Sequence, residues 1–381
     1  MSTKHAVRWP AAQVTGIDLS VTSVRCTEEL GRKYDLRNLQ VHQLPIERAR
    51  ELGTSFDQIV CTGVLHHLAD PDAGLAALRD VLKPDGAMHL MVYAPYGRTG
   101  IYMLQEFCRQ LGIRATDAGI HDLIAALRQL PRGHPLEQLL RDAPDFRDEA
   151  ALADALLHPQ DRAYAVPQLF DFIETAGLRF GRWIKQAPYS AHCGVMARLP
   201  HTPHLRALAT RAQSAAVELF RGTMLRHSVV VYRRDGIANG RVSFDDDACL
   251  GYVPIRLAET ICLRDRLPPG AAAVLINQAH TYTDLFLPID PLELQLFDAI
   301  DGHRCLGEIL DGTLADTPTR FKTGRRFFER LWRHDQIVVD AGVARFGGNE
   351  HVTRPHADSQ SDGSAAGLSH ALEADGRGLQ P

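Results

Sequence analysis

Hydrophobic and polar positions follow two different periods along the first hundred residues, and together they predict a layered fold. Strand-like apolar runs lie at 14–20, 39–44, 58–62 and 87–94, and helix-like stretches between them lie at 21–36 and 72–82. The sequence Lys83-Pro84-Asp85-Gly86 predicts a turn between the last of these helices and the strand that follows it. Strands that alternate with helices of this length indicate βαβ units, so the sequence predicts an α/β fold with a parallel sheet.

The pattern changes to mostly helical at about residue 96, and we predict a helical insertion over 96–164. Residues 166–177 then resemble a helix with a glycine stop, and strand-like segments follow at 178–189 and 227–234. These segments complete one α/β domain, which we place at 1–235.

A smaller and different unit follows. Glycines and acidic residues over 236–250 predict a linker, and 251–346 combine helical stretches with strand-like ones. We interpret 251–346 as a small α+β domain with a winged-helix-like arrangement. Residues 347–381 contain few large apolar side chains, so we predict a disordered tail.

Composition narrows the class of protein. The chain is 45% hydrophobic and 23% charged, as in globular proteins, and its formal net charge of −4 argues against broad nucleic-acid binding. We find no apolar run of the roughly 18 residues that a membrane span requires and no N-terminal apolar stretch typical of a signal peptide. The seven cysteines are scattered without a CxxC pair, which favours buried thiols over disulfides or zinc. The sequence therefore predicts a cytoplasmic protein without a metal, and it is compatible with an oligomer.

Polar residues stand where the predicted strands end. Asp18 closes the first apolar run, and a carboxylate at this place can accept hydrogen bonds from both hydroxyls of a ribose. Ligands of open α/β sheets bind outside the carboxyl ends of the strands, so the loops after successive strands line one crevice. An alternative role for Asp18 is to cap the helix that follows it.

Three features together resemble the class I S-adenosylmethionine-dependent methyltransferases, which have a Rossmann-like sheet. They are Asp18, the segment FDQIVCTGVLHHLADP from Phe56 to Pro71, and the segment LKPDGAMHLMVYA from Leu82 to Ala94. The Val-Leu-His-His-Leu turn in the second segment is the most specific of the three. The resemblance covers about 1–235 and is tightest over 14–95.

The resemblance implies S-adenosyl-L-methionine as the cofactor and assigns roles to matched positions. The implied cofactor-binding residues are Asp18 at the ribose, Leu19, Gln43 and Leu44 at the adenine, and Thr62 and Gly63 beneath the methionine part. The candidates for a catalytic role at the methyl acceptor are His66, His67, Tyr93 and Tyr96. Arg98 lies in the same loop as Tyr96 and is expected to help orient the acceptor. A small molecule or a protein is the expected acceptor.

The chain departs from the family at its start. The family's first strand and glycine-rich loop belong before Val14, yet residues 1–13 contain no glycine. We therefore expect the sequence to begin inside the domain, with methyl transfer impaired in this chain. Because the family's first strand is central, its neighbours are expected to have unpaired edges. The alternative is a degenerate, non-catalytic relative that acts as an interaction protein.

Two further interpretations remain open at this point. An acidic residue at this strand end also serves NAD(P)-dependent oxidoreductases, although the His-His turn argues against that class. A basic cluster in the C-terminal unit could contact nucleic acid, but we favour a solvent-exposed helix face. The cluster consists of Arg320, Lys322, Arg325, Arg326, Arg330 and Arg333.

Overall fold

The computed structural model describes residues 1–137, 151, 155–158, 160–236, 242–314 and 320–342. The elements up to the helical insertion are α1 Ser2–Arg8, β1 Val14–Asp18, α2 Val21–Lys33, β2 Leu39–Gln43, β3 Phe56–Thr62, α3 Pro71–Asp80 and β4 Leu82–Tyr93. They are followed by α4 Thr99–Leu111, α5 Asp117–Leu127, α6 Val166–Thr175, β5 Leu178–Trp183, α7 Thr202–Ala207, α8 Thr210–Arg221 and β6 Arg226–Arg233. The C-terminal elements are β7 Val253–Arg256, β8 Thr260–Leu263, β9 Ala273–Asn277, β10 Phe286–Ile289, α9 Pro291–Asp298, α10 Leu306–Thr313, α11 Arg320–Arg333 and β11 Ile337–Asp340.

The main sheet has the strand order β3-β4-β6-β5. Strand β4 pairs in parallel with β3 and antiparallel with β6, and its residues alternate between buried and partly exposed from Gly86 to Tyr93. Helices α3, α6 and α8 supply apolar residues such as Leu75, Leu169 and Val217 to the core around this sheet. The α/β class that the sequence predicted is confirmed. The prediction of a parallel sheet is wrong for the main sheet, which is mixed because β6 runs antiparallel to both β4 and β5.

The predicted turn at Lys83-Pro84-Asp85-Gly86 differs in the structure. Strand β4 begins at Leu82, before this segment, and runs through it. The pairing of β3 with β4 shifts there, because Phe56 pairs with Leu82 whereas Gln58 pairs with Ala87. Three residues of β3 therefore face six of β4, and the extra length is an irregularity within the strand.

Strands β1 and β2 form a separate parallel pair. Among the described residues, β1 hydrogen-bonds only to β2, and β3 only to β4, so the predicted unpaired edges are present. The start of α1 contacts both edges: a Cβ atom on Gly16 of β1 would lie 2.7 Å from the Ser2 hydroxyl, and the Met1 sulfur lies 3.6 Å from Thr62 Oγ1 of β3. Glycine at position 16 allows this close approach.

The helical insertion has a small apolar core of its own. Its buried side chains are Ile101, Leu104, Cys108, Leu123, Leu136 and Leu156. Helix α4 places Ile101, Leu104 and Cys108 on one face, which matches the helical period of the sequence. The opposite side of α4 exposes Met103 and Phe107.

The C-terminal unit has a second apolar core. It combines a β7–β11 pair, a three-stranded antiparallel sheet of β8, β9 and β10, and the helices α9, α10 and α11, with Phe327 and Phe328 fully buried. Its winged-helix character stays a prediction. Part of the predicted linker, 237–241, and the predicted tail lie outside the described residues.

Three of the six members of the basic cluster on α11 are paired with acidic side chains. Arg325 bonds to Asp247, Arg330 to Glu293, and Arg333 to Glu329. These ion pairs neutralise much of the positive charge that a nucleic-acid surface requires, which agrees with the interpretation of α11 as a solvent-exposed helix face.

The C-terminal unit docks against the loop that follows β5 through buried polar groups. The backbone N–H of Ala187 donates to Asp335 Oδ2 at 2.8 Å, and Gln186 Nε2 donates to the carbonyl of Trp332 at 3.2 Å. Arg182 lies 4.0 Å from the other oxygen of Asp335, too far for a direct hydrogen bond. Burial outweighs these contacts and raises the pKa of Asp335 to about 6.

A raised pKa means that the ionised form of Asp335 opposes folding. The protonated carboxyl is the form that favours folding. The stability it contributes is present below the pKa of the unfolded carboxyl, about 4, and is lost as the pH rises through about 6. We expect Asp335→Asn to remove this pH dependence, on the order of 2 kcal/mol in the free energy of unfolding. Urea denaturation at pH 5 and pH 8 measures it, with exposed Asp298→Asn as the control. An unchanged pH dependence in Asp335→Asn would contradict the assignment.

A second buried network links helix α8 to the sheet. His227 of β6 lies 3.0 Å through Nε2 from Glu218 Oε1, and 2.6 Å through Nδ1 from the hydroxyl of Tyr189. The other oxygen of Glu218 accepts the backbone N–H of Val166 at 2.8 Å, where α6 begins. Trp183 stacks on Tyr189 with ring centroids 3.8 Å apart. Glu218 and His227 are almost fully buried, so water cannot reach their polar atoms. Each of these contacts therefore supplies a hydrogen-bond partner that solvent does not.

Replacing Glu218 by alanine leaves the N–H groups of Val166 and His227 without partners in the core. We expect Glu218→Ala to lower the free energy of unfolding by about 2–5 kcal/mol, and Tyr189→Phe by only about 1–2 kcal/mol. Urea denaturation followed by tryptophan fluorescence measures both, since Trp183 packs on this network. Glu106→Ala, at an exposed position, is the control. Equal effects of Glu106→Ala and Glu218→Ala on the free energy of unfolding would show that the buried network does not stabilise the fold.

Candidate functional site

The ends of β1 and β2 bring together the first group of predicted site residues. Asp18 and Gln43 are register partners, Leu44 N–H donates to the carbonyl of Asp18 at 3.0 Å, and Gln43 Nε2 donates to the carbonyl of Leu19 at 3.3 Å. The side chain of Leu19 is 70% exposed. An exposed carboxylate next to an exposed leucine offers both polar and apolar contacts to a ligand at this edge.

The alternative role of Asp18 as a helix cap is wrong. Helix α2 has Ser20 as its N-cap, and the Ser20 hydroxyl accepts the N–H of Ser23 at 3.2 Å. Asp18 instead accepts the N–H of Ser20 through Oδ1 at 2.8 Å. Since a carboxylate can accept several hydrogen bonds, Asp18 keeps capacity for further donors.

Thr62 and Gly63 end β3 at a tight turn. Gly63 has φ +77°, a left-handed conformation that glycine adopts without strain. This turn sends the chain into a short 3-10 helix at Leu65–His67, which places the two histidines beside the end of β4. Thr62 Oγ1 lies 3.6 Å from the Met1 sulfur, so the start of α1 lies close to the end of β3.

The histidines take part in a continuous row of mutually tilted rings, which we call the ring stack. His158 lies 4.2 Å from His67, His67 lies 4.2 Å from His66, and His66 lies 3.9 Å from Tyr93, all between ring centroids. His66 is 1% exposed, and neither of its ring nitrogens has a hydrogen-bond partner among the described residues. Burial, followed by the neighbouring His67 and Arg98, lowers the pKa of His66 to about 3, so this imidazole is neutral at physiological pH.

Arg98 covers the other end of the stack. Its guanidinium lies 3.5 Å from the centre of the Tyr93 ring and pairs with Asp161 at 3.2 Å. Both side chains of this ion pair are buried, at 7% and 3% exposed. Gln105 donates to the same oxygen of Asp161 at 3.0 Å, and Tyr102 accepts from Arg98 Nε at 3.1 Å.

Residues Gln160–Tyr164, which we call the strap, lie across both strand ends. The N–H of Arg162 donates to the carbonyl of His66 at 3.0 Å, and the N–H of Tyr164 to the carbonyl of Tyr93 at 2.9 Å. His67 Nδ1 lies 2.9 Å from the carbonyl of Gln160. The strap therefore closes the site from the side of the helical insertion.

The structure thus brings His66, His67, Tyr93 and Arg98 together, as the sequence suggested. Tyr96 is exposed and lies at the start of α4, where its carbonyl accepts the Thr99 hydroxyl; within the described parts of the chain its ring joins no other ring. Sequence reasoning missed His158, Asp161 and Gln105. They come from the insertion, more than 35 residues from the His-His turn, and no local pattern marks them.

No three metal-binding side chains lie close enough to hold a metal ion in the portions of the chain that the structure covers. No helix in those portions is long and apolar enough to cross a membrane. The side chains that the structure brings together at the site are imidazole, phenol, carboxylate and guanidinium groups.

Comparison with known proteins agrees with this arrangement. Residues 2–88 match the model of a methyltransferase domain family. An uncharacterized protein of Synechococcus is 36% identical over 179 residues, which cover 45% of this chain and 42% of that protein. The ubiquinone biosynthesis O-methyltransferase of Albidiferax ferrireducens is 34% identical over 76 residues, covering 20% of this chain and 30% of that enzyme. The chain thus spans less than half the length of these two relatives.

A solved structure shows how far the shared fold extends. PKMT2 from Rickettsia typhi in complex with AdoHcy superposes with a TM-score of 0.60 at 14% identity, covering 88% of this chain and 68% of that chain. At this identity the likeness concerns the fold, and it reaches well beyond the matched domain. Residues 2–88 therefore match a methyltransferase domain family, within a chain that shares the fold of PKMT2.

Proposed function

We propose that the chain transfers a methyl group from S-adenosylmethionine to a small-molecule or protein acceptor. The main support is the exposed pair Asp18–Leu19 at the end of β1, inside a domain whose family implies this cofactor. Asp18 would accept hydrogen bonds from the ribose, and Leu19, Gln43 and Leu44 would contact the adenine. Thr62 and Gly63 would lie beneath the methionine part.

The acceptor would bind beside the ring stack at the ends of β3 and β4. The cofactor supplies an already activated methyl group, so the protein's own task is mainly to hold the acceptor in line and exclude water. The partly exposed Tyr93, packed on the buried His66, offers a largely apolar wall, and Arg98 covers the Tyr93 ring. An acceptor that loses a proton also requires a base, for which His66 and His67 are the candidates.

The unpaired edges of β1 and β3 bear on how tightly the cofactor is held. A strand placed between them would pair both edges and join β1–β2 to the main sheet. We infer that a further segment in this position strengthens cofactor binding. In its absence the chain would bind weakly, and a non-catalytic interaction role becomes the competing function.

Calorimetric titration of S-adenosylmethionine tests this function. We expect binding to this chain or, more tightly, to a form extended upstream of Met1. Asp18→Ala is expected to weaken binding about tenfold to a hundredfold, because a hydrogen bond to a charged group is lost.

Asp57→Ala is the matched control, since Asp57 is an equally exposed carboxylate at the beginning of β3. Loss of affinity in both variants would point to a general effect of charge or folding. Absence of binding to both forms would overturn the proposed function and favour the interaction role, and preferential binding of NAD would favour an oxidoreductase.

A further inference from the structure

His66 and His67 are neighbours in sequence but differ in what their rings can do. His66 is sealed beneath Tyr93 and the strap, and neither of its nitrogens is bonded within the described chain. Its low pKa, caused by burial, makes it a poor proton acceptor at neutral pH. His66 therefore serves as a neutral wall of the site, and a base has to be sought elsewhere.

The ring of His67 is oriented by the strap. Its Nδ1 lies 2.9 Å from the carbonyl oxygen of Gln160, and a carbonyl oxygen can only accept a hydrogen bond. In neutral His67 the proton must therefore reside on Nδ1, which leaves the lone pair on Nε2. His67 is partly exposed, and Nε2 has no hydrogen-bond partner among the described residues.

The strap holds the ring stack at both ends. Gln160 binds His67, while the adjacent Asp161 binds Arg98, whose guanidinium presses on Tyr93. Between these two points the rings of His67, His66 and Tyr93 are in contact. Breaking a buried ion pair is costly, because it leaves an uncompensated charge. Asp161 thus controls the position of the strap that orients His67.

We propose that His67 Nε2 accepts the proton of the methyl acceptor and that Asp161, acting through Arg98 and the strap, is the residue that positions it. The inference rests on the proposed methyl transfer. The proton of the acceptor O–H or N–H passes to His67 Nε2, and the electron pair of that bond forms the new bond to the methyl carbon. The pair that held the methyl group stays on the donor sulfur.

The tautomer of His67 tests the proposal without an acceptor. In protein labelled with 15N-histidine, two-bond proton–nitrogen correlations report which ring nitrogen carries the proton, and His66→Gln and His67→Gln assign the signals. We expect the Nδ1–H form of His67 in the wild type. The Nε2–H form, or an even mixture of both, would overturn the proposal.

Asp161→Asn tests the positioning role while keeping the side-chain volume. We expect hydrogen exchange at the N–H groups of Arg162 and Tyr164 to rise on the order of tenfold or more, and His67 to lose its single tautomer. The control is Glu106→Gln, which removes the charge from the exposed pair with Arg109 on α4, the helix whose N-cap residue is Arg98. Unchanged exchange and an unchanged tautomer in Asp161→Asn would refute the role of Asp161.

Activity supplies a separate readout. Tritiated methyl transfer is measured with catechol and with a casein digest as probe acceptors. With either accepted probe, His67→Gln should lower the rate on the order of a hundredfold or more, the usual contribution of a general base, whereas His66→Gln should lower it much less.

Cofactor titration separates failure of this inference from failure of the proposed function. We expect His67→Gln to bind S-adenosylmethionine as the wild type does, because His67 contacts the acceptor side. A rate in His67→Gln close to that of the wild type overturns its role as base. Absence of cofactor binding in every form overturns the methyltransferase function, and the tautomer measurement then still decides whether the strap orients His67.

Discussion

Hydrogen bonding of β4 with β3 on one edge and with β6 on the other determines where the His-His turn and Tyr93 lie, and these two form the candidate acceptor site. On one edge Thr62 pairs with Met91, and on the other Tyr93 pairs with Arg226. Because β3 and β4 are parallel, their carboxyl ends lie at the same end of the sheet, and the His-His turn meets Tyr93 there. A shift in this register would move Tyr93 to the opposite face and separate the rings.

The helical insertion reaches this edge through few but buried polar contacts. The Arg98–Asp161 pair and the strap hydrogen bonds connect it to the strand ends, whereas its apolar core is separate from that of the sheet. A buried ion pair adds little net stability but disfavours every arrangement that leaves either charge alone. The contacts between the insertion and the sheet can therefore add little free energy and still hold the insertion in a single position.

The sequence predicted features that depend on neighbouring residues. The α/β class and the strand that ends at Asp18 follow from local periodicity. His66 and Tyr93 were marked only by the resemblance to a family, and their ring contact was not predicted. Asp161 could not be predicted, because its partner Arg98 lies 63 residues away and either residue alone resembles an ordinary surface charge. The Lys83–Gly86 segment misled for the opposite reason: its turn residues are local, but pairing with β3 and β6 extends the strand across them.

The proposed cofactor side and the proposed acceptor side of the site differ in how complete they are. On the acceptor side, rings, an ion pair and backbone hydrogen bonds already surround His66. On the cofactor side, Asp18 and Leu19 are open to solvent, and the strand edges that flank them are unpaired in the described chain. Unpaired edges favour addition of a strand, since each new hydrogen bond satisfies groups that are otherwise exposed. Assembly of the cofactor side therefore depends on strand pairing, whereas the orientation of the acceptor side depends on the strap.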